Sequence, residues 1–272
     1  MAAETQHAEQ TTYRAEDTFG LGEIVLRHPP GTFVPTTSSR LALEAIGRFP
    51  DLFRGNGIDW GCGVGPLTIA AARVFNVERV IGLDNNAASI VAAKENAAAN
   101  AVSSKTRFLY ADSFSPFDEA DRSTLEEFRG KASFVLAYPP TSAGDDGFEW
   151  RRSVMRSARE FLAPRGALVL NASYQYGPER LDQLTAEMPE YRAAGVLASS
   201  DLFPFDLKKP EMLQTLVQYA HIESSGGMRY TFPNPKELTG DPVTATQALE
   251  RFESRGEIPY TMWMYLLFRF RY

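Results

Sequence analysis

One stretch dictates what this chain can fold into. Gly57-Ile58-Asp59-Trp60-Gly61-Cys62-Gly63-Val64-Gly65-Pro66, continued by Leu67 to Ala72, reads as a short strand, a glycine-rich turn and the start of a helix. Three glycines at alternate positions let the backbone turn sharply and approach a ligand closely, because none carries a Cβ. The helix behind them aims its free N–H groups and positive dipole end at the same point. A dinucleotide-binding turn would have its third glycine at the sixth position, where Pro66 stands here.

The same grammar repeats downstream. Arg79 to Asp84 is a second buried strand ending in a carboxylate, and Asp84 lies 19 residues after Gly65, the distance needed for a helix and a return strand. A helix over 87–100 leads to a third strand, Arg107 to Asp112, followed by Ser113. Lys131 to Ala137 is a fourth strand that runs into Tyr138-Pro139-Pro140. A helix over 151–162 precedes a fifth strand, 167–172, with Ser173-Tyr174-Gln175-Tyr176 at its end. A helix over 178–188 and a strand over 191–198 follow. The segment 260–272 alternates apolar and polar residues with period 2, as a last strand does. Successive strands ending in Asp, joined by helices, put their acids at the carboxyl edge of a parallel sheet, where open α/β sheets bind ligands.

Further residues have local readings. Residues 1–12 are polar and expected to be disordered, and Glu23 to Arg27 to form a strand broken by His28-Pro29-Pro30-Gly31. His28 has the chemistry of a general base but also suits an exposed strand end. Ser38 or Ser39 is a natural N-cap for a helix over 41–49. Cys62 suits a small filler in a tight turn better than a nucleophile. Asp145, Asp146 and Glu149 sit in a glycine-flanked loop, Gly144 to Trp150, expected to cover the site; they have the chemistry to bind an amine or a metal, but such acids are more often solvated.

The Asp59-x-Gly61-x-Gly63-x-Gly65 run resembles motif I of the class I S-adenosylmethionine (SAM)-dependent methyltransferases. Other phrases resemble the same superfamily: Lys94-Glu95-Asn96-Ala97-x-x-Asn100, frequent in its small-domain group, and the helix-to-strand junction Phe161-Leu162-x-Pro164-x-Gly166-x-Leu168. Pro35-Thr36-Thr37-x-x-Arg40-Leu41-x-Leu43-Glu44 is similar to the segment before motif I in ribosomal-protein lysine methyltransferases, where it crosses over the cofactor. The resemblance covers roughly residues 32–200 and 258–272 and implies a doubly wound, mainly parallel seven-stranded α/β sheet of the Rossmann-like methyltransferase fold. It implies SAM as the cofactor, held by Asp59, Gly61, Gly63, Gly65, Asp84, Asn85, Asp112, Ser113, Thr36, Thr37, Tyr138 and Pro139. Asp112 would accept from the adenine amino group. Enzymes that methylate amide or exocyclic nitrogens carry a small polar residue before the double proline and an aromatic after it. This chain has Tyr138 and Thr141 there, so Tyr138, with Tyr174 or Tyr176, is expected to shape the reacting end.

On this reading residues 1–31 form an extension, 32–198 and 260–272 the SAM-binding domain, and 199–259, with helices near 211–221 and 244–254, a substrate cap inserted before the last strand. A formal charge of −6 argues against nucleic acid as the main partner. With one cysteine there is neither a disulfide nor a cysteine-cluster metal site, and no metal is expected. The longest apolar run, Met262 to Phe268, is far short of the roughly 20 residues of a membrane helix, so a cytoplasmic protein is expected. The expected activity is N- or O-methylation of a small molecule. Protein methylation, cyclisation of the cofactor's own aminobutyryl chain with release of methylthioadenosine, and SAM binding without catalysis are the alternatives. The oligomeric state is open.

Overall fold

The computed structural model describes residues 10–139, 148–233 and 241–272. The chain begins with an antiparallel hairpin of β1 (Gln10–Tyr13) and β2 (Ile24–Arg27), then α1 (Thr37–Arg48). The alternation that follows is β3 (Gly55–Trp60), α2 (Pro66–Arg73), β4 (Val77–Asp84), α3 (Ala87–Ala99), β5 (Thr106–Asp112), a two-residue β6 (Ser115–Pro116), α4 (Glu119–Glu126), β7 (Ala132–Ala137), α5 (Glu149–Ala158), β8 (Leu162–Ser173), α6 (Gly177–Glu187) and β9 (Tyr191–Ser199). Then come β10 (Phe203–Pro204), α7 (Pro210–Ser224), α8 (Ala245–Arg255), β11 (Tyr260–Thr261) and β12 (Trp263–Phe270).

The main sheet has the order β6-β5-β4-β3-β7-β8-β12-β9. Strands β5, β4, β3, β7 and β8 are mutually parallel, and β12 inserts antiparallel between β8 and β9. The sheet therefore has the seven strands expected plus the short edge strand β6. Strand order reverses at β3, whose neighbours β4 and β7 leave it in opposite directions, so a crevice opens above its carboxyl end.

Period-2 alternation sorts side chains to two faces. Ile58, Trp60, Ile81, Leu83, Val135 and Ala137 pack with α4 to α8, whereas Val80, Phe134 and Leu136 pack with α1 to α3 and the hairpin. Gly57 is required on the second face: a Cβ there would lie 2.0 Å from Phe134 Cζ. Segment 199–259 adds α7 and α8 to the first face, where Phe205, Leu216, Tyr219, Tyr230 and Phe232 share one apolar cluster with Leu168 and Leu170 of β8.

One expectation needs correction. The tail does not extend to residue 12, because Gln10–Tyr13 pairs with β2, and Tyr13, Ile24 and Leu26 are buried. The hairpin is held by two asparagines one turn apart on α3. Asn96 donates to Arg27 O and Val64 O while accepting from Arg27 N, and Asn100 exchanges hydrogen bonds with Val25. The Asn-x-x-x-Asn phrase thus ties the hairpin and the glycine loop to one helix. Helix α4 has no counterpart in the sequence reading, because its single buried residue, Leu125, leaves no apolar period.

Candidate active site

The loop between β3 and α2 is built as its composition demands. Gly61, Gly63 and Gly65 have φ of 70°, 52° and 91°, the left-handed region that only glycine enters without strain. Gly61 N and Cys62 N both donate to Leu83 O of the next strand, which pins the turn. Gly65 caps α2 and Pro66 takes its first position, where no N–H is needed. Cys62 is buried, its sulfur in the space that a Cβ on Gly82 would need, and its thiol pKa is pushed up by burial and then by Asp59 and Asp84.

Above this turn lies a cavity of about 380 Å³. Among the expected site residues, Gly61, Gly63, Asp84, Asn85, Asp112, Ser113, Tyr138 and Pro139 line it. Both Asp84 oxygens already accept from backbone, Oδ2 from Gly63 N and Oδ1 from Asn86 N, each at 2.8 Å. A carboxylate offers about four acceptor positions, so room for two further donors remains. Asp112 is exposed at the rim. Ser113, at φ 55°, accepts from Trp60 Nε1 at 2.8 Å.

Other expected residues lie elsewhere. Asp59 is buried beneath the loop, accepting from Thr68 Oγ1 at 2.6 Å, because strand alternation turns it away from the Trp60 side. Desolvation by burial, opposed by Thr68 and reinforced by Asp84, pushes its pKa up to about 7. Gly65 sits below the cavity against Phe108 and Ala93. Thr36 is the exposed N-cap of α1, and the Thr37 side chain lies outside the described residues. Tyr174 donates its N–H to Met262 O and takes no part in the wall. Tyr176 is corrected as a site residue: a short 3-10 turn after β8 swings it into the core, fully buried and edge-on to Phe148 at 4.9 Å. His28 is also buried, its Nε2 3.1 Å from Thr11 Oγ1, and away from the cavity. Residues 140–147, with Asp145 and Asp146, lie outside the described residues; Glu149 opens α5 and pairs with Arg152 and Arg156.

The cavity's aromatic wall went unread in the sequence. Phe33, Trp60, Trp150 and Trp263 join Tyr138 around it, so all three tryptophans of the chain meet at one site. The available signal was position: Trp60 ends β3, Trp150 begins the helix after the double proline, and Trp263 begins a strand that enters the sheet from its carboxyl edge, opposite Ser173. The Tyr138 hydroxyl is bonded to Ser38 Oγ, which is 2.7 Å from Thr36 Oγ1. Its ring therefore faces the cavity and its oxygen faces α1. Charged side chains on the wall are Asp84 and Asp112; no Lys or Arg lines it among the described residues.

Comparison with known proteins adds the following. The family model "Methyltransferase small domain" matches residues 36–194, more than half of the chain. A 4-amino-L-phenylalanine/4-methylamino-L-phenylalanine methyltransferase of Streptomyces pristinaespiralis is 29% identical over 167 residues, which are 54% of this chain and 56% of that protein. Among solved structures, the T. thermophilus 16S rRNA N2 G1207 methyltransferase, in complex with AdoMet and guanosine, has a TM-score of 0.52 and 22% identity over 71% of this chain and 49% of its own. A methyltransferase from Pyrococcus furiosus has a TM-score of 0.51 and 15% identity over 94% and 92% of the two chains. The chain spans about half the length of the Streptomyces and ribosomal RNA enzymes. Among the described residues no helix is long and apolar enough to cross a membrane.

Proposed function

Because the chain belongs to the methyltransferase small-domain family, we propose that it binds SAM in the cavity above the glycine loop and transfers its methyl group to a small molecule. The residues present fit that cofactor. Gly61 leaves open space where a Cβ would stand, so a ligand can approach the backbone there, while Phe33 packs over Gly63. Asp84 retains acceptor capacity at the end of β4, the position suited to a ribose diol. Asp112, Asn85 and Ser113 flank the place where a base would lie. A sulfonium is a cation, and the opposite wall offers aromatic faces without a competing Lys or Arg.

When bound, SAM supplies an electrophilic methyl group. The protein's own contribution is to exclude water and to hold acceptor and donor in line, which is where most of the acceleration of a bimolecular transfer arises. The observation that carries the small-molecule reading is the character of the acceptor end: concave, aromatic, and free of basic side chains among its described lining residues. A nucleic acid would need cations to neutralise its phosphates. The Streptomyces relative, named for a single amino acid, agrees with this reading.

Incubation with methyl-labelled SAM and a panel of small amines and phenols, followed by mass spectrometry, tests it. The expected result is a methylated small molecule with S-adenosylhomocysteine as coproduct. Methylthioadenosine in its place would indicate cyclisation of the cofactor, and labelled protein or RNA as the sole product would refute the substrate class.

A further inference from the structure

We propose that the part of the cavity bounded by Tyr138 and Trp263 is an aryl-binding site, which takes the acceptor by a flat, uncharged aromatic ring; this rests on the reading above that SAM fills the part next to Gly61, Asp84 and Asp112. Three observations carry it. The first is convergence: residues from the segment before α1, from the double-proline strand end, from α5 and from the last strand bring their rings to one cavity, with Phe33 packed over Gly63 and Trp150 6.2 Å from Trp60. Aromatic faces and edges attract other rings beyond the gain from burying area.

The second is that two of these rings are fixed from behind. Tyr138 is fastened through its hydroxyl to Ser38, leaving its ring as the surface a ligand meets. It also stands edge-on to Phe33 at 6.3 Å. Trp263 is backed by Phe203, the two rings 5.9 Å apart and only 28° from parallel. Its main chain is tied on both sides to Ser200: Trp263 N donates to Ser200 Oγ at 3.0 Å, and Ser200 N donates to Trp263 O at 2.9 Å. Both clamps are contacts within the protein itself, so little ordering is left for binding to impose. They also give the start of segment 199–259 a role: it reaches the site through Phe203, as a support behind the wall.

The third is charge. Once Asp84 and Asp112 are given to the cofactor, no described lining residue is left to pair with a charged acceptor.

Calorimetry on the protein saturated with S-adenosylhomocysteine tests this with p-cresol, its saturated counterpart 4-methylcyclohexanol, and choline as a cation without a ring. The expected result is binding of p-cresol roughly tenfold tighter than of either other probe. Trp263→Ala is expected to weaken p-cresol roughly tenfold while S-adenosylhomocysteine binds within about twofold of wild type, and Trp263→Phe, which keeps a ring, to recover most of the loss. Equal affinity for p-cresol and 4-methylcyclohexanol, tighter binding of choline, or p-cresol affinity unchanged in Trp263→Ala would each overturn the proposal. If Trp263→Ala does not fold, the three-probe comparison in the wild type and Trp263→Phe decides. Wild type that binds S-adenosylhomocysteine but none of the probes refutes the aryl site alone; wild type that does not bind S-adenosylhomocysteine refutes the proposed function.

Discussion

At the scale of single residues, Asp59 and Asp84 divide the work of two carboxylates that look alike in the sequence. Both stand at the carboxyl end of a parallel strand, Asp84 as its last residue and Asp59 one residue before the last, yet Asp84 reaches the cavity while Asp59 lies below the glycine turn with Thr68 as its partner. Burial holds the Asp59 proton up to about pH 7, whereas in the unfolded chain it ionises at the ordinary carboxylate value. Between those two values the native state binds more protons. Stability from this group is therefore full at low pH, falls as pH rises, and is lost above about pH 7. Asp59→Asn keeps an acceptor for Thr68 but removes the titration. Melting temperatures from pH 4 to 8 are expected to show the variant gaining on wild type as pH rises. The gain is at most about 1.4 kcal/mol for each pH unit climbed between the unfolded and folded values. Parallel melting curves across that range would contradict the assignment. Tyr138 teaches a related lesson. Its place before the double proline was legible, but the direction of its hydroxyl depends on Ser38, a hundred residues earlier.

At the scale of elements, α7 and α8 are joined by one side chain. Glu223, near the end of α7, accepts from Tyr230 N and Ala245 N through Oε1, and from the N–H and hydroxyl of Thr246 through Oε2. Partial burial draws its pKa up, but these donors outweigh burial and hold it below the ordinary value. Its contribution is thus present above the unfolded pKa and lost as pH falls through the folded one. It also supplies negative charge at the first turn of α8, where the helix dipole favours it. Glu223→Ala is expected to cost roughly 2 kcal/mol at neutral pH, and less in acid. Urea unfolding at pH 7 and pH 4 would check this, and an equal loss at both would count against an ionised role.

The alternation of strands and helices was legible because most of the parallel strands are rich in apolar residues and most turns carry a glycine, asparagine or proline. Helix α4 was not, since it buries only Leu125. The aromatic wall was not, because Phe33 and Trp263 come from opposite ends of the chain, and strand register, which the sequence does not display, decides that Trp263 stands opposite Ser173. Tyr176 misled for the opposite reason. It is close in sequence to the carboxyl edge, but the turn after β8 sends it to the core.

At the scale of the whole molecule, the sheet brings the ends of β3, β4, β5 and β7 to one crevice, and β12 closes its far side with Trp263. Segment 199–259 thickens the sheet's first face instead of lining that cavity among the described residues. The central claim is that this cavity holds SAM through Asp84, and titration calorimetry with SAM on wild type and Asp84→Ala tests it most directly. The expected result is one-to-one binding by wild type and a loss of about 1.5 to 3 kcal/mol in the variant, roughly 10- to 100-fold in affinity. Absence of SAM binding by wild type, or equal affinity in a folded Asp84→Ala, would contradict it.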